Sequence, residues 1–147
     1  MLLGSCLTGQ AFANAPVAAV HALAYPLGGH FHIPHVLSHA LVLIHVMNFN
    51  LSHCANLYAE LAPVISDAID LDGNDVEVAK ARVDFLSSLI KQLKLPTSLV
   101  EVGTAESDIN NLAKDTMLHT RLLVNNPKPV TLEDVVHIYQ QAHQGTD

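Results

Sequence analysis

Ten histidines in 147 residues hold most of the chemical potential of this sequence. His21 and His35 stand fourteen residues apart, and Pro26-Leu27-Gly28-Gly29 between them predicts a break that folds one helix face to face with the next. Neutral imidazole suits zinc, iron, nickel or copper, so two imidazoles from adjacent elements form half of a metal's inner shell. Tyr25 follows His21 by four residues and therefore shares its helical face. His30, His32, His39, His45 and His53 read as surface, helix-end or core residues. His119, His137 and His143 fall in helices outside the pair.

Other chemistries find less support. There is no G-x-G-x-x-G after a strand and no G-x-x-x-x-G-K-[ST], so these residues alone cannot build a Rossmann-type nucleotide site. Gly4-Ser5-Cys6-Leu7-Thr8-Gly9 places its serine one position too early for a nucleophile elbow, and no strand precedes it. Cys6 and Cys54 give neither metal spacing nor a disulfide framework, which fits a reducing cytoplasm.

The elements that must position the histidines are helical. Asn14 as cap and Pro16 in the first turn predict a helix running through Val20, His21 and Leu23 to the Pro26–Gly29 stop. His30 to Pro34 follows as an extended connector, because the residue before a proline is pushed out of the α region. Helices are then expected over about 35–49, 51–65, 76–94, 106–119 and 132–142. In 76–94, the apolar positions Val76, Ala79, Val83, Leu86, Ile90 and Leu93 oppose Lys80, Asp84 and Lys91. Thr131-Leu132-Glu133-Asp134 reads as a capping box opening the last helix. The expectation is one all-α domain over residues 1–147, an array of about six helices without repeats or linkers.

Composition narrows the partners. Charged residues are 14% of the chain, against about 25% in ordinary soluble domains. The net charge of −7 argues against a nucleic-acid binder. The most apolar run, Val36 to Leu51, is interrupted by Ser38, His39, His45 and Asn48 and falls short of the roughly 20 residues a bilayer span requires, so no membrane is expected. Residues 1–59 carry seven histidines and no Asp, Glu, Lys or Arg. Such a stretch is either buried or covered by a partner, a second copy of the chain or another domain.

The local string is more specific. Gly9-Gln10-Ala11-Phe12-Ala13-Asn14-Ala15, then Val20-His21-Ala22-Leu23-Ala24-Tyr25-Pro26-Leu27-Gly28-Gly29, then Ile33-Pro34-His35, closely resembles the C-terminal signature of the iron-containing (group III) alcohol dehydrogenases. That family pattern is roughly G-x-A-F-x-N-A followed by H-x-x-A-H-P-L-G and, at the same spacing, P-H. The similarity continues through Ala40-Leu41-Val42-Leu43, Val46-Met47 and Tyr58, and returns at Asn125-Asn126-Pro127-Lys128-Pro129 and Glu133-Asp134-Val135.

The resemblance implies the all-helical C-terminal domain of a dehydroquinate-synthase-like enzyme whose NAD(P) sits on a preceding α/β domain. It implies a divalent metal, iron, zinc or nickel, with His21 and His35 as two of four ligands, the other two being an Asp and a His from an upstream segment. It places Phe12 in the lining of the substrate pocket and Tyr25, the candidate catalytic residue, near the nicotinamide in the proton relay, where many members have a histidine; tyrosine keeps a hydroxyl but loses a group that titrates near neutral pH. Val36 departs from a usual Gly, His39 from a common Asn, and Ile44 from a frequent Pro. The expected activity is metal-dependent NAD(P)-linked oxidation of alcohols or reduction of aldehydes, with the 147 residues inactive in the absence of the cofactor domain. Two alternatives stand beside it, a metal-dependent ester or lactone hydrolase and a non-catalytic helical module that associates through residues 1–59.

Overall fold

The computed structural model describes residues 2–69 and 71–145. The described residues form seven α-helices and no strand: α1 (Leu2–Asn14), α2 (Ala19–Phe31), α3 (His35–Ile65), α4 (Asp75–Gln92), α5 (Ile109–Met117), α6 (Thr120–Leu123) and α7 (Leu132–Gln144). Two short 3-10 turns, Val100–Val102 and Glu106–Asp108, join α4 to α5.

The main core is built where α2, α3, α5 and α7 meet, around Leu23, Leu27, Val42, Leu99, Leu112, Ile138 and Tyr139. Tyr139 ties three of these helices together. Its hydroxyl donates to the Leu23 carbonyl at 2.7 Å and lies 2.8 Å from the Thr116 hydroxyl. Burial pushes this phenol far above the ordinary tyrosine range, so it remains a neutral donor. From Ile44 onward another face of α3 packs against α4, first through Ile44, Met47 and Val83 and then through Ala62 and Val78. The expected apolar face of α4 is buried at Ala79 and Val83, while Val76 and Leu93 at its ends are exposed.

Several expected boundaries move. The first core helix begins at Ala19, beyond Pro16, and Asn14 instead closes α1, its side-chain amide donating to the Gln10 carbonyl at 2.8 Å. Pro26-Leu27-Gly28-Gly29 does not stop α2, which continues to Phe31. Proline inside a helix costs about 3 kcal/mol, but α2 buries Ala19, Ala22, Leu23, Ala24, Pro26 and Leu27, and that burial outweighs the lost hydrogen bond. His32, in the left-handed region at φ 54°, ends the helix. The connector shrinks to His32, Ile33 and Pro34.

The helices expected over 35–49 and 51–65 are one element. Asn50 would compete for backbone hydrogen bonds at such a junction, but its amide is engaged elsewhere. It exchanges hydrogen bonds of 3.0 and 2.7 Å with the amide of buried Asn126. Asn125 donates to the Val17 carbonyl at 3.1 Å, so the Asn125–Pro129 loop holds both α3 and the entry to α2. The span expected as 106–119 divides into a 3-10 turn and α5, and the short α6 follows after His119. The capping box at Thr131 and Asp134 is present, with Thr131 Oγ1 accepting from the Asp134 N–H at 3.2 Å. A second joins Asn74 and Glu77 at the start of α4.

The charge-free stretch divides sharply at Ala19. Residues 19–59 furnish the centre of the core, whereas α1 buries none of its residues and presents Leu2, Leu3, Leu7 and Phe12 to solvent. No helix among the described residues is long and apolar enough to cross a membrane.

Candidate metal centre

The turn from α2 into α3 brings His21 and His35 together. Their ring centroids are 5.9 Å apart. α2 fixes His21 because the residues that follow it, Ala22 to Ala24, are buried, and the Tyr139 hydroxyl holds the Leu23 carbonyl two residues on. His35 is the first residue of α3, after Pro34 and after Ile33, which is anchored in the core.

A third imidazole lies between them. His39 sits one turn along α3 from His35, with centroid distances of 4.1 Å to His21 and 4.2 Å to His35. One ligand nitrogen from each of the three falls within 4.8 Å of the others, and no Asp, Glu or Cys among the described residues joins the group. The spacing from His35 to His39 is the i, i+4 relation that places two side chains on one helical face. That signal is present in the sequence, but reading His39 as a surface or core residue passes over it.

His39 is also oriented. Its Nδ1 lies 2.6 Å from the His35 carbonyl oxygen, which can only accept, so Nδ1 carries the proton and Nε2 keeps its lone pair. Nε2 is buried and has no hydrogen-bond partner. A buried, unsatisfied polar atom costs about 1–3 kcal/mol, and a cation shared with the neighbouring imidazoles is one way of offsetting that cost. Burial, followed by the charges of His39 and His35, pulls His21 below the ordinary imidazole range, which favours the neutral, ligating form.

Tyr25 stands beside this group on the next turn of α2. Its ring lies 6.3 Å from His21, stacks at 6.2 Å on His35 and meets His119 edge-on at 5.2 Å. His119 caps α6 and is brought here by tertiary packing, for which the sequence gives no local signal. Phe12 is not brought to the cluster. It lies on α1, is 57% exposed and shares no ring contact with the histidines.

A strand-free array that gathers imidazoles from two successive helices defines an all-helical domain with a donor set suited to a divalent metal. Residues 1–143 match the model of the Fe-containing alcohol dehydrogenase family, C-terminal, and the chain belongs to that family. It is 38% identical over 151 aligned residues to long-chain-alcohol dehydrogenase 1 of Geobacillus thermodenitrificans, a match covering 99% of this chain and 37% of that enzyme. With lactaldehyde reductase of Escherichia coli it shares 33% identity, over 97% of this chain and 37% of the enzyme. The solved structure of a 1,3-propanediol oxidoreductase superposes with a TM-score of 0.85 at 28% identity, covering 92% of this chain and 35% of that one. An alcohol dehydrogenase from Oenococcus oeni gives the same TM-score at 31% identity, covering 93% and 35%. The chain therefore spans little more than a third of the length of these relatives.

Proposed function

We propose that this chain is the helical, metal-holding part of an NAD(P)-linked alcohol dehydrogenase that oxidises small alcohols or reduces the matching aldehydes. The observation that carries the reading is the meeting of His21 and His35, the two positions matching the family's histidine motif, at the N-terminal ends of α2 and α3. A divalent metal held there supplies a Lewis acid that favours the alkoxide form of the alcohol.

The residues have distinct parts in this reading. His21 and His35 hold the ion, and burial keeps His21 neutral for the task. Tyr25 presents its ring to both histidines and acts as a wall that orients the substrate over them. Phe12, on exposed α1, completes the pocket only once another domain or subunit covers that helix. NAD(P) belongs on an α/β domain of the kind the family resemblance implies, docked along the exposed part of residues 1–59. The enzyme works in the cytoplasm. Membership of the dehydrogenase family does not favour the hydrolase or the non-catalytic module.

The test is direct. The 147-residue chain is expected to show no NAD(P)-linked oxidation of propanediol or butanol alone, and to gain it, with one bound divalent metal, when joined to the nucleotide-binding part of a relative. Full activity from the chain alone, or a joined enzyme whose turnover is indifferent to His21→Ala, would sink the reading.

A further inference from the structure

We infer that His39 is a third metal ligand, so that α2 and α3 by themselves carry a three-imidazole site for an ion of the zinc class, with the rest of the shell left to groups outside these two helices. The inference rests on the reading of His21 and His35 as ligands and goes beyond it, because the motif behind that reading has no histidine at this position.

Three observations converge on His39. Its ring is the closest to both others, at 4.1 and 4.2 Å, so it bridges a pair that is otherwise 5.9 Å apart. Its Nδ1 proton is committed to the His35 carbonyl, which fixes the tautomer with Nε2 as the free donor atom, as a ligating histidine requires. That Nε2 is buried, and no side chain or backbone group among the described residues hydrogen-bonds to it.

The donor set then selects the ion. Three neutral nitrogens without a carboxylate suit zinc, nickel or copper, and three protein ligands with one open position are the usual arrangement of a catalytic zinc. Zn–N bonds of about 2.0–2.1 Å give a tetrahedral N···N edge of about 3.3 Å. Closing the present spread of up to 4.8 Å takes small side-chain rotations, and His35 is the exposed member of the three. The same site takes cobalt, whose visible absorption reports the coordination shell.

The experiment is titration of the full 147-residue chain with Zn2+ by calorimetry and with Co2+ by visible absorption. His39→Asn is the informative variant, because an amide can still donate to the His35 carbonyl but offers no imidazole nitrogen. His53→Ala, on the exposed side of α3, is the control for loss of any histidine. Circular dichroism of each variant confirms that the helices remain. One Zn2+ per chain is expected, with affinity at least tenfold weaker in His39→Asn, a changed cobalt spectrum, and no change in His53→Ala. Equal Zn2+ affinity in His39→Asn and the parent chain would overturn the inference, as would absence of Zn2+ binding by the parent. The reading under test in the joined enzyme is separable: it fails if that enzyme holds its metal but does not oxidise alcohol.

Discussion

α3 carries two imidazoles with a buried Nε2, of different kinds. His39 and His45 lie six residues apart on one helix, and each has a buried Nε2 without a hydrogen-bond partner. His39 has company, two further imidazoles within 4.2 Å between ring centroids, and a backbone carbonyl that sets its tautomer. His45 has none of this. It lies on the face of α3 that also carries Leu41, Val42 and Phe49, and burial alone pulls its pKa down to about 4. An unsatisfied nitrogen is therefore not in itself a ligand; the convergence of several makes it one.

The largest effect that can break this comparison is on metal binding. The His21→Ala/His35→Ala double variant is expected to lose more divalent-metal affinity than the about 10–100-fold that loss of an outer-shell partner costs, since two of three donors disappear. His45→Leu is expected to bind metal like the parent chain. Elemental analysis after dialysis reads both, and metal loss in His45→Leu would erase the distinction drawn between the two histidines.

The next effect concerns pH. His45 has a folded pKa of about 4 against 6.5 for the free side chain, so below pH 6.5 the unfolded chain binds a proton that the folded chain refuses. The His45 contribution to stability therefore falls as pH drops from 6.5 to 4 and levels off beneath, a loss of about 3 kcal/mol at about 1.36 kcal/mol per unit. Denaturant melts of the metal-free chain at pH 7, 5.5 and 4 measure it. His45→Leu should flatten that slope, whereas a slope identical to the parent's would show that other groups dominate the acid response.

The same contrast shows how far the sequence could be read. Fold class, the amphipathic face of α4 and the Thr131 capping box were legible because each depends on local spacing or local hydrogen bonding. His21 and His35 were legible through a motif. The continuity of α3 was not, because what removes Asn50 from competition is an amide 76 positions away at Asn126. Nor was the persistence of α2 past Pro26, where burial overrides a local breaker. His39 was within reach at i+4 from His35. His119 was not, since only the packed fold brings it to Tyr25.

A smaller effect separates ring from hydroxyl at Tyr25. The ring touches three imidazoles, while no hydrogen bond engages the hydroxyl among the described residues. Tyr25→Phe is therefore expected to keep metal affinity within about threefold of the parent chain, a change of less than 1 kcal/mol. A tenfold loss on calorimetry would place the phenol oxygen in the metal's shell and enlarge the donor set beyond the histidines.

The smallest effect is expected at Phe12, and it tests the other half of the charge-free stretch. A 57% exposed ring on a helix with no buried residue holds little of the fold together. Phe12→Ser should leave the unfolding free energy of the chain within about 0.5 kcal/mol, as for surface substitutions elsewhere. The same change should weaken docking of a nucleotide-binding domain, because α1 is a whole helix of residues 1–59 that the core leaves bare. If Phe12→Ser instead unfolds the chain, α1 belongs to the core in solution. The helix would then offer no bare apolar face to a partner.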